Sequence, residues 1–199
     1  CQTSHDVQPG EHFFLNRHAE GLVTSDWALN SMGQIVAIKQ VIGDSLLLEH
    51  PLRHTYPDSV QPVVIRIDPV ENVQISKLTV RRIDSHDQQA SNIAFNYAYN
   101  AQVHAIISED CIFSHLSLRH SDHVLVEGSY FHHAHDYGGG GRGYGTEISF
   151  ATGNCLVVNN VFEHLRHSML MQACANGNVF AYNYSLDPYW DEDFLPSSS

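Results

Sequence analysis

The stretch that decides the fold runs from Phe131 to Gln172 and reads FHHAHDYGGGGRGYGTEISFATGNCLVVNNVFEHLRHSMLMQ. An aromatic ring, any residue, a His and a small or apolar residue recur in it at Phe131 and Phe162, and once more upstream at Phe113. Repetition of this kind is typical of a coiled β-structure in which each copy belongs to one coil. Between these copies, β-prone segments alternate with Gly and Asn turns, which predicts strands at Thr146–Phe150, Cys155–Val158, Val161–Phe162 and Ser168–Gln172.

The repeat extends over residues 62–190. Successive copies are 30, 21, 32 and 23 residues apart, and solenoid repeats of this type have periods of about 20–29 residues. The two long intervals contain visible insertions, Ser85–Ser91 and the glycine loop Gly138–Gly145. No long apolar pattern with helical period competes, so the chain is predicted to be all-β, with Asn side chains capping the corners. The aligned positions are Val73, Val103, Val124, Leu156 and Val179.

Residues 1–61 have a different texture. Strands are predicted at Glu11–Asn16, Gly33–Lys39 and Ser45–Glu49, and the last two form a hairpin around the turn Ile42–Ser45. We therefore predict a small hairpin-rich β cap at residues 1–61, β-helix coils at 62–190 and a polar tail at 191–199. Trp27 is interpreted as a staple of the cap, with a ligand platform as the alternative. An uncapped last coil would expose a strand edge, which predicts truncation or self-association at this end.

Composition limits the function. The formal net charge of −12 argues against nucleic acid and anionic membranes as partners, since both attract basic surfaces. No apolar run approaches the roughly 20 residues that span a bilayer. The chain starts at Cys1 without a Met or a signal peptide, which predicts a processed chain or a fragment. Its four cysteines have no zinc spacing and are interpreted as buried thiols, with one disulfide as the alternative.

Several segments resemble the right-handed parallel β-helix superfamily of pectate lyases, related glycosidases and secreted bacterial proteins. They are Asn72–Val80, Ser129–Phe131 and Asn154–Phe162, together with the N-terminal hairpin. The resemblance covers about residues 62–190 and implies a right-handed, single-stranded solenoid. It also implies secretion or display at the cell surface, polysaccharide as the partner, and a substrate groove along the third turn and the strand that follows it.

Polar side chains gather in that predicted turn and strand. Alignment of the three Phe-x-His phrases would stack His115, His133 and His164 at about 4.8 Å per coil. Such a stack either bonds backbone carbonyls or serves acid–base chemistry on a polymer. The candidate catalytic residues are His133, His164, Arg166, His167, Tyr144 and Glu147, and the candidate substrate-binding residues are Arg119, Arg142, His135 and Gln172.

These residues favour a polysaccharide lyase or a glycosidase. In a lyase, His133 or His164 would be the base, Arg119 or Arg166 would neutralise a uronate carboxylate, and Tyr144 would be the acid. The alternative is a non-catalytic solenoid: an adhesin, a glycan-binding module or a self-assembling fibre subunit.

No motif demands a cofactor, although Asp136 and Glu147 would allow Ca²⁺. His133, His135 and Asp136 offer metal ligands, but their spacing is not that of a recognised metal motif.

Overall fold

The computed structural model describes residues 6–18, 21, 23 and 25–190. The predicted tail at 191–199 and Cys1 lie outside the described residues. Helical structure in the described residues is all of the 3₁₀ type and includes the short turns Asp26–Ala28 and Asp58–Val60, so the all-β prediction is confirmed. No described helix is long and apolar enough to cross a membrane.

Four antiparallel strands form the first sheet, sheet A, in the order β3-β2-β1-β4. The predicted hairpin is present as β2 and β3. Strand β4 follows the predicted boundary between residues 61 and 62, but it pairs with β1, so the first parallel strand is β5. The strands of sheet A are β1 (His12–Asn16), β2 (Gly33–Ile42), β3 (Ser45–Leu48) and β4 (Val63–Ile67).

The remaining strands form three parallel sheets, visited in turn by the chain. Sheet 1 holds β8 (Ile93–Asn96), β11 (Ser114–Arg119), β14 (Tyr144–Ser149) and β17 (His167–Met171). Sheet 2 holds β5 (Val70–Glu71), β6 (Gln74–Ser76), β9 (Ala98–His104), β12 (Asp122–Glu127), β15 (Leu156–Val158) and β18 (Val179–Ala181). Sheet 3 holds β7 (Thr79–Arg81), β10 (Ile107–Cys111), β13 (Tyr130–Ala134), β16 (Val161–Glu163) and β19 (Tyr184–Leu186).

The core lies between the three parallel sheets, where equivalent apolar residues stack from coil to coil. Phe131 and Phe162 are register partners, are both fully buried, and stack with ring centroids 5.3 Å apart. In sheet 2 the alignment of Leu156 with Val179 is confirmed, but Val103 pairs with Ile75 and Val126 rather than with Val73 and Val124. A shift of two residues keeps the same face inward, so the apolar pattern alone does not exclude it. Leu156 pairs with Leu125 rather than with Val124, and this shift of one residue turns Leu156 outward, where it is 39% exposed.

Corners of the coils are held by side chains that accept backbone hydrogen bonds from the preceding coil. The amide of Ser129 donates to Asn160 Oδ1 at 3.0 Å, and the amide of Asn160 donates to Asn183 Oδ1 at 3.0 Å. Asn160 is 1% exposed and its Nδ2 also donates to the Val126 carbonyl at 3.0 Å. The predicted capping of corners by Asn is therefore confirmed at these positions.

Sheet A lies along one flank of the coils. At one end His12 approaches Glu71 of the first coil, with Nδ1 and Oε1 3.5 Å apart. At the other end Asn176 Nδ2 donates to the Gly33 carbonyl at 3.3 Å. Between them, Phe14 packs with its ring centroid 5.3 Å from that of His120. The segment that precedes β2 is thereby carried to the edge of sheet 1.

Gly145 is a packing requirement of β14 rather than part of a mobile loop. A Cβ atom there would lie 2.1 Å from the Ser168 carbonyl oxygen and 2.5 Å from the Phe162 ring. We expect Gly145→Ala to lower the free energy of unfolding by ~3 kcal/mol, because backbone and a buried ring must both move. Gly140→Ala is the matched control, since a Cβ at Gly140 meets no atom within 4 Å.

The control should cost about 1 kcal/mol, from the left-handed backbone at Gly140 alone. Urea denaturation of the two variants measures both effects. Equal losses in the two variants would show that the close approach of β14 to β17 does not constrain Gly145.

Candidate functional site

The outer face of sheet 1 carries a pocket of about 540 Å³, which we call the sheet 1 pocket. One wall comes from the segment before β2, and the opposite wall comes from the two insertions that sequence spacing revealed. The floor is formed by side chains of β11, β14 and their flanking turns. The lining residues are Trp27, Gln89, Phe113, Arg119, Gly140, Gly141, Tyr144, Phe150 and Gln172.

Glu147 lies beneath this pocket and is fully buried. It is the register partner of Ser117, whose hydroxyl donates to Glu147 Oε2 at 2.6 Å. Gln172 Nε2 donates to Oε1 at 3.4 Å, and Arg119 Nε lies 3.6 Å from Oε2. A buried carboxylate is tolerated only when it is paired and hydrogen-bonded in this way.

Arg119 connects the buried carboxylate to the pocket. Its guanidinium carbon lies 5.4 Å from the Phe113 ring centroid and 5.2 Å from that of Phe150. The side chain is 39% exposed, and its Nε has no hydrogen-bond acceptor. A guanidinium fixed between two rings loses little rotamer entropy when it binds, so it is preorganised to donate hydrogen bonds to a ligand.

The two walls differ in chemistry. Trp27 is 57% exposed and packs edge-on against Phe150, with ring centroids 6.3 Å apart. On the opposite wall the Gln89 amide donates to the Gly140 carbonyl. A Cβ at Gly141 would lie 3.1 Å from the Phe113 ring, so glycine permits the loop to approach the floor. The pocket thus combines an open aromatic face with amide groups.

Tyr144 and His167 extend the site along sheet 1, with ring centroids 4.8 Å apart. Burial raises the pKa of Tyr144, so its phenol stays protonated at neutral pH. Burial, with Arg166 nearby, lowers the pKa of His167, so this imidazole is neutral at pH 7. A neutral imidazole beside a protonated phenol can accept one proton while the phenol donates another.

Other predicted site residues hold the glycine loop in place instead. Arg142 pairs with Asp136 and donates to the Asp87 carbonyl at 3.1 Å. Arg166 Nη1 donates to the Gly138 carbonyl at 2.8 Å. The amide of Gly138 and the Arg142 guanidinium lower the pKa of Asp136. His135 Nε2 bonds to the Arg82 carbonyl at 2.9 Å.

The predicted metal ligands are not brought together. Asp136 is engaged with Arg142, His135 with the backbone of a neighbouring coil, and Glu147 with Arg119. Nowhere in residues 6–18, 21, 23 and 25–190 do three His, Cys, Asp or Glu side chains form a group that could hold a metal ion. The donor set of Asp136 and Glu147 therefore does not fit Ca²⁺.

Cys111, Cys155 and Cys174 are free thiols, the first two buried.

The alignment that placed His115 in a stack is wrong. Phe131 pairs with Phe162 on one side and with Ser108 on the other, because 18 residues from Phe113 to Phe131 are too few for one coil. His115 is instead fully buried. Its Nε2 donates to the His133 carbonyl at 3.0 Å, and its Nδ1 accepts from the Ser108 hydroxyl at 2.8 Å.

His133 and His164 do stack, but at a corner after sheet 3. Register pairs on either side make Asp110, His133, His164 and Asp187 equivalent residues of successive coils, and all four have left-handed backbone. The two imidazoles are 5.2 Å apart, and His164 Nδ1 bonds to Asp187 Oδ2 at 3.0 Å. We call this set the corner stack. The predicted site residues are thus distributed among the sheet 1 pocket and its extension, the contacts around the glycine loop, and the corner stack.

Three aromatic residues of the pocket are not among the predicted site residues. The sequence places Phe113 in the repeated phrase and Phe150 at the end of a predicted strand. For Trp27 a ligand platform is the alternative to a staple, and its contact with Phe150 bridges more than one hundred residues of sequence. The Phe113 phrase carries a signal, because its short distance to the next copy shows that it does not lie in the same sheet position.

No protein-family model and no curated protein matches the chain. Among solved structures, the tailspike gp61 of Pseudomonas phage phi297 has a TM-score of 0.70 at 15% identity and covers 91% of this chain. The gp54 tailspike of Acinetobacter baumannii bacteriophage AP22, in complex with a capsular saccharide, has a TM-score of 0.46 at 11% identity over 94% of this chain. The chain spans 30% and 42% of those tailspikes. The first likeness confirms the parallel β-helix fold.

His115 makes a prediction about pH. Burial lowers its pKa from 6.5 to about 3, so the folded protein holds it neutral while the unfolded chain protonates it below pH 6.5. Stability is therefore fully present above pH 6.5 and falls as pH drops from there toward 3. The expected contribution of His115 is up to about 1.4 kcal/mol per pH unit in that window.

Denaturation of wild type and His115→Gln between pH 7 and pH 4.5 measures this slope. The variant should lose less stability on acidification, while His135→Gln, at an exposed position, should behave like wild type. Parallel pH dependence in wild type and His115→Gln would contradict the prediction.

Proposed function

We propose that this chain is part of an extracellular carbohydrate-binding protein and that the sheet 1 pocket binds one unit of a polysaccharide. The observation that carries the proposal is Arg119, held between two aromatic rings at the floor of a pocket with an exposed tryptophan wall. Sugar rings present C–H faces that pack on aromatic side chains, and hydroxyls that accept hydrogen bonds from guanidinium and amide groups. Trp27, Arg119 and Gln172 supply these groups.

The finer architecture belongs to the same proposal. The coils would form one right-handed, single-stranded solenoid, and sheet A would act as its cap along the flank that it contacts. Extracellular localisation is supported by the fold that the chain shares with the phage phi297 tailspike. The chain spans 30% of that tailspike. The carbohydrate binding proposed for this chain therefore rests on its own sheet 1 pocket.

Cleavage by β-elimination is a second candidate function, and the contact of Tyr144 with His167 favours it. His167 would take the proton next to a uronate carboxylate, Arg119 would neutralise that carboxylate, and Tyr144 would protonate the leaving oxygen. A glycosidase needs two carboxyl groups about 5–9.5 Å apart. In the described part of the chain, the pocket lining contains no Asp or Glu, and Glu147 lies beneath it. The lyase is therefore favoured over the glycosidase.

Self-association through the last coil stays a prediction. Its strands β18 and β19 present exposed apolar side chains, with Val179 and Tyr184 51% and 61% exposed. A non-catalytic fibre subunit or adhesin would use this edge to assemble while the sheet 1 pocket binds glycan.

Carbohydrate binding is tested by affinity electrophoresis in gels that contain bacterial capsular polysaccharides, polygalacturonate or dextran. We expect retardation by at least one polymer. Trp27→Ala should weaken binding about tenfold, because loss of one stacking face costs about 1.4 kcal/mol. Arg119→Lys, which keeps the charge near Glu147 but loses the planar fork, should have an effect of similar size.

Tyr182→Ala is the matched control, because Tyr182 is an aromatic residue with 86% exposure that does not line the sheet 1 pocket. It should bind like wild type. Failure of wild type to bind any polymer, or equal binding by Trp27→Ala, would remove the pocket as a carbohydrate site.

Lyase activity is tested by following ultraviolet absorbance of the new double bond in polymers that bind. If elimination occurs, His167→Gln should slow it at least about a hundredfold, the contribution expected of a positioned general base. Tyr182→Ala should cleave at the wild-type rate. Equal rates for wild type and His167→Gln would exclude His167 as the base, and release of reducing ends without absorbance would indicate hydrolysis instead.

A further inference from the structure

The end of β13 brings two adjacent histidines together. His132 Nδ1 and His133 Nδ1 are 3.0 Å apart, and the two rings are nearly perpendicular. Adjacent residues of a regular strand point to opposite faces. His133 has a φ of 58°, however, and this left-handed backbone turns its ring toward that of His132. The corner geometry therefore creates a juxtaposition that a straight strand does not allow.

Glu109 lies beside Nε2 of His132. It is the register partner of His132 on β10, and its Oε1 lies 3.6 Å from His132 Nε2. A carboxylate on one side of an imidazole favours the N–H on that side and leaves the other nitrogen with a lone pair. Glu109 therefore favours a lone pair on His132 Nδ1, the nitrogen that faces His133.

The two Nδ1 atoms share a hydrogen bond, and their separation is close to that of two ligands of one metal ion. Nitrogen ligands lie about 2.0–2.1 Å from Zn²⁺, so two of them in its tetrahedral shell are about 3.3–3.4 Å apart, and a bound ion would replace the shared proton. Imidazole pairs prefer borderline ions such as Zn²⁺, Ni²⁺ and Cu²⁺ over Ca²⁺ and Mg²⁺. His132 is 18% exposed and His133 is exposed, so an ion reaches the pair from solvent.

We propose that His132 and His133 chelate a divalent transition-metal ion, with water completing the coordination and Glu109 orienting His132. The site is separate from the sheet 1 pocket, and it replaces His133, His135 and Asp136 as the metal-binding set. Two histidines suffice for a surface chelate, which agrees with the lack of a three-ligand group among residues 6–18, 21, 23 and 25–190. The net charge of −12 favours cation binding.

Calorimetric titration of the whole chain with ZnCl₂ tests the site. Wild type should show a binding event that is weakened at least tenfold in His133→Asn and in His132→Gln. Asn tolerates left-handed backbone, so His133→Asn should keep the corner conformation. Circular dichroism melts verify that each variant is folded, and Zn²⁺ should raise the melting temperature of wild type more than that of the variants.

Two further variants separate this pair from the other histidines of the chain. Glu109→Gln removes no ligand and should weaken Zn²⁺ binding about tenfold, as loss of a carboxylate behind a metal-bound histidine does. His135→Gln, two residues further on, should bind Zn²⁺ like wild type. Binding that is unchanged in His133→Asn, or absent in wild type at millimolar Zn²⁺, would overturn the proposal.

Discussion

The structure depends on side-chain oxygens that accept the backbone N–H groups at the corners of the coils. Ile106, Ser129 and Asn160 each donate a backbone amide to a side-chain oxygen of the coil that follows, at 3.2, 3.0 and 3.0 Å. At these corners the chain leaves one sheet before it enters the next, so no strand partner is available, and a buried N–H without an acceptor costs about 1–3 kcal/mol. Each coil therefore relies on a small polar residue of the next coil.

This constraint decides where the chain can vary. Corners between sheets 2 and 3 are closed by buried residues such as Ser129 and Asn160, and in the described coils each spans only two residues between its strands. The connection from sheet 3 to sheet 1 carries both long insertions, and its loop residues bind one another: Arg142 pairs with Asp136 and reaches the Asp87 carbonyl. The variable connection therefore builds one wall of the pocket without disturbing the stacked core.

The sequence predicted local features well because they depend on local chemistry. The strands around Cys155–Val158 and Val161–Phe162 and the Asn corners follow from β-branched residues and turn residues a few positions apart. Register between coils depends instead on long-range pairing, which a repeated phrase does not specify. The phrase aligns Phe113 with Phe131, although the true partner of Phe131 is Ser108. The contact of Trp27 with Phe150 could not be predicted from the sequence for a related reason. It depends on the path of sheet A along the flank, which long-range packing decides.

The same geometry explains why the predicted site residues do not form one group. Residues within a strand alternate between core and outer face, which places Arg119 and Glu147 together outside sheet 1. Corner residues do not alternate. With left-handed backbone in each coil they stack from one coil to the next, as His133 and His164 do. His164 and Arg166 are therefore only two residues apart but lie in different environments. His164 belongs to the corner stack, whereas Arg166 donates to the Gly138 carbonyl of the glycine loop. The position of a residue within its coil therefore decides which of these environments it joins.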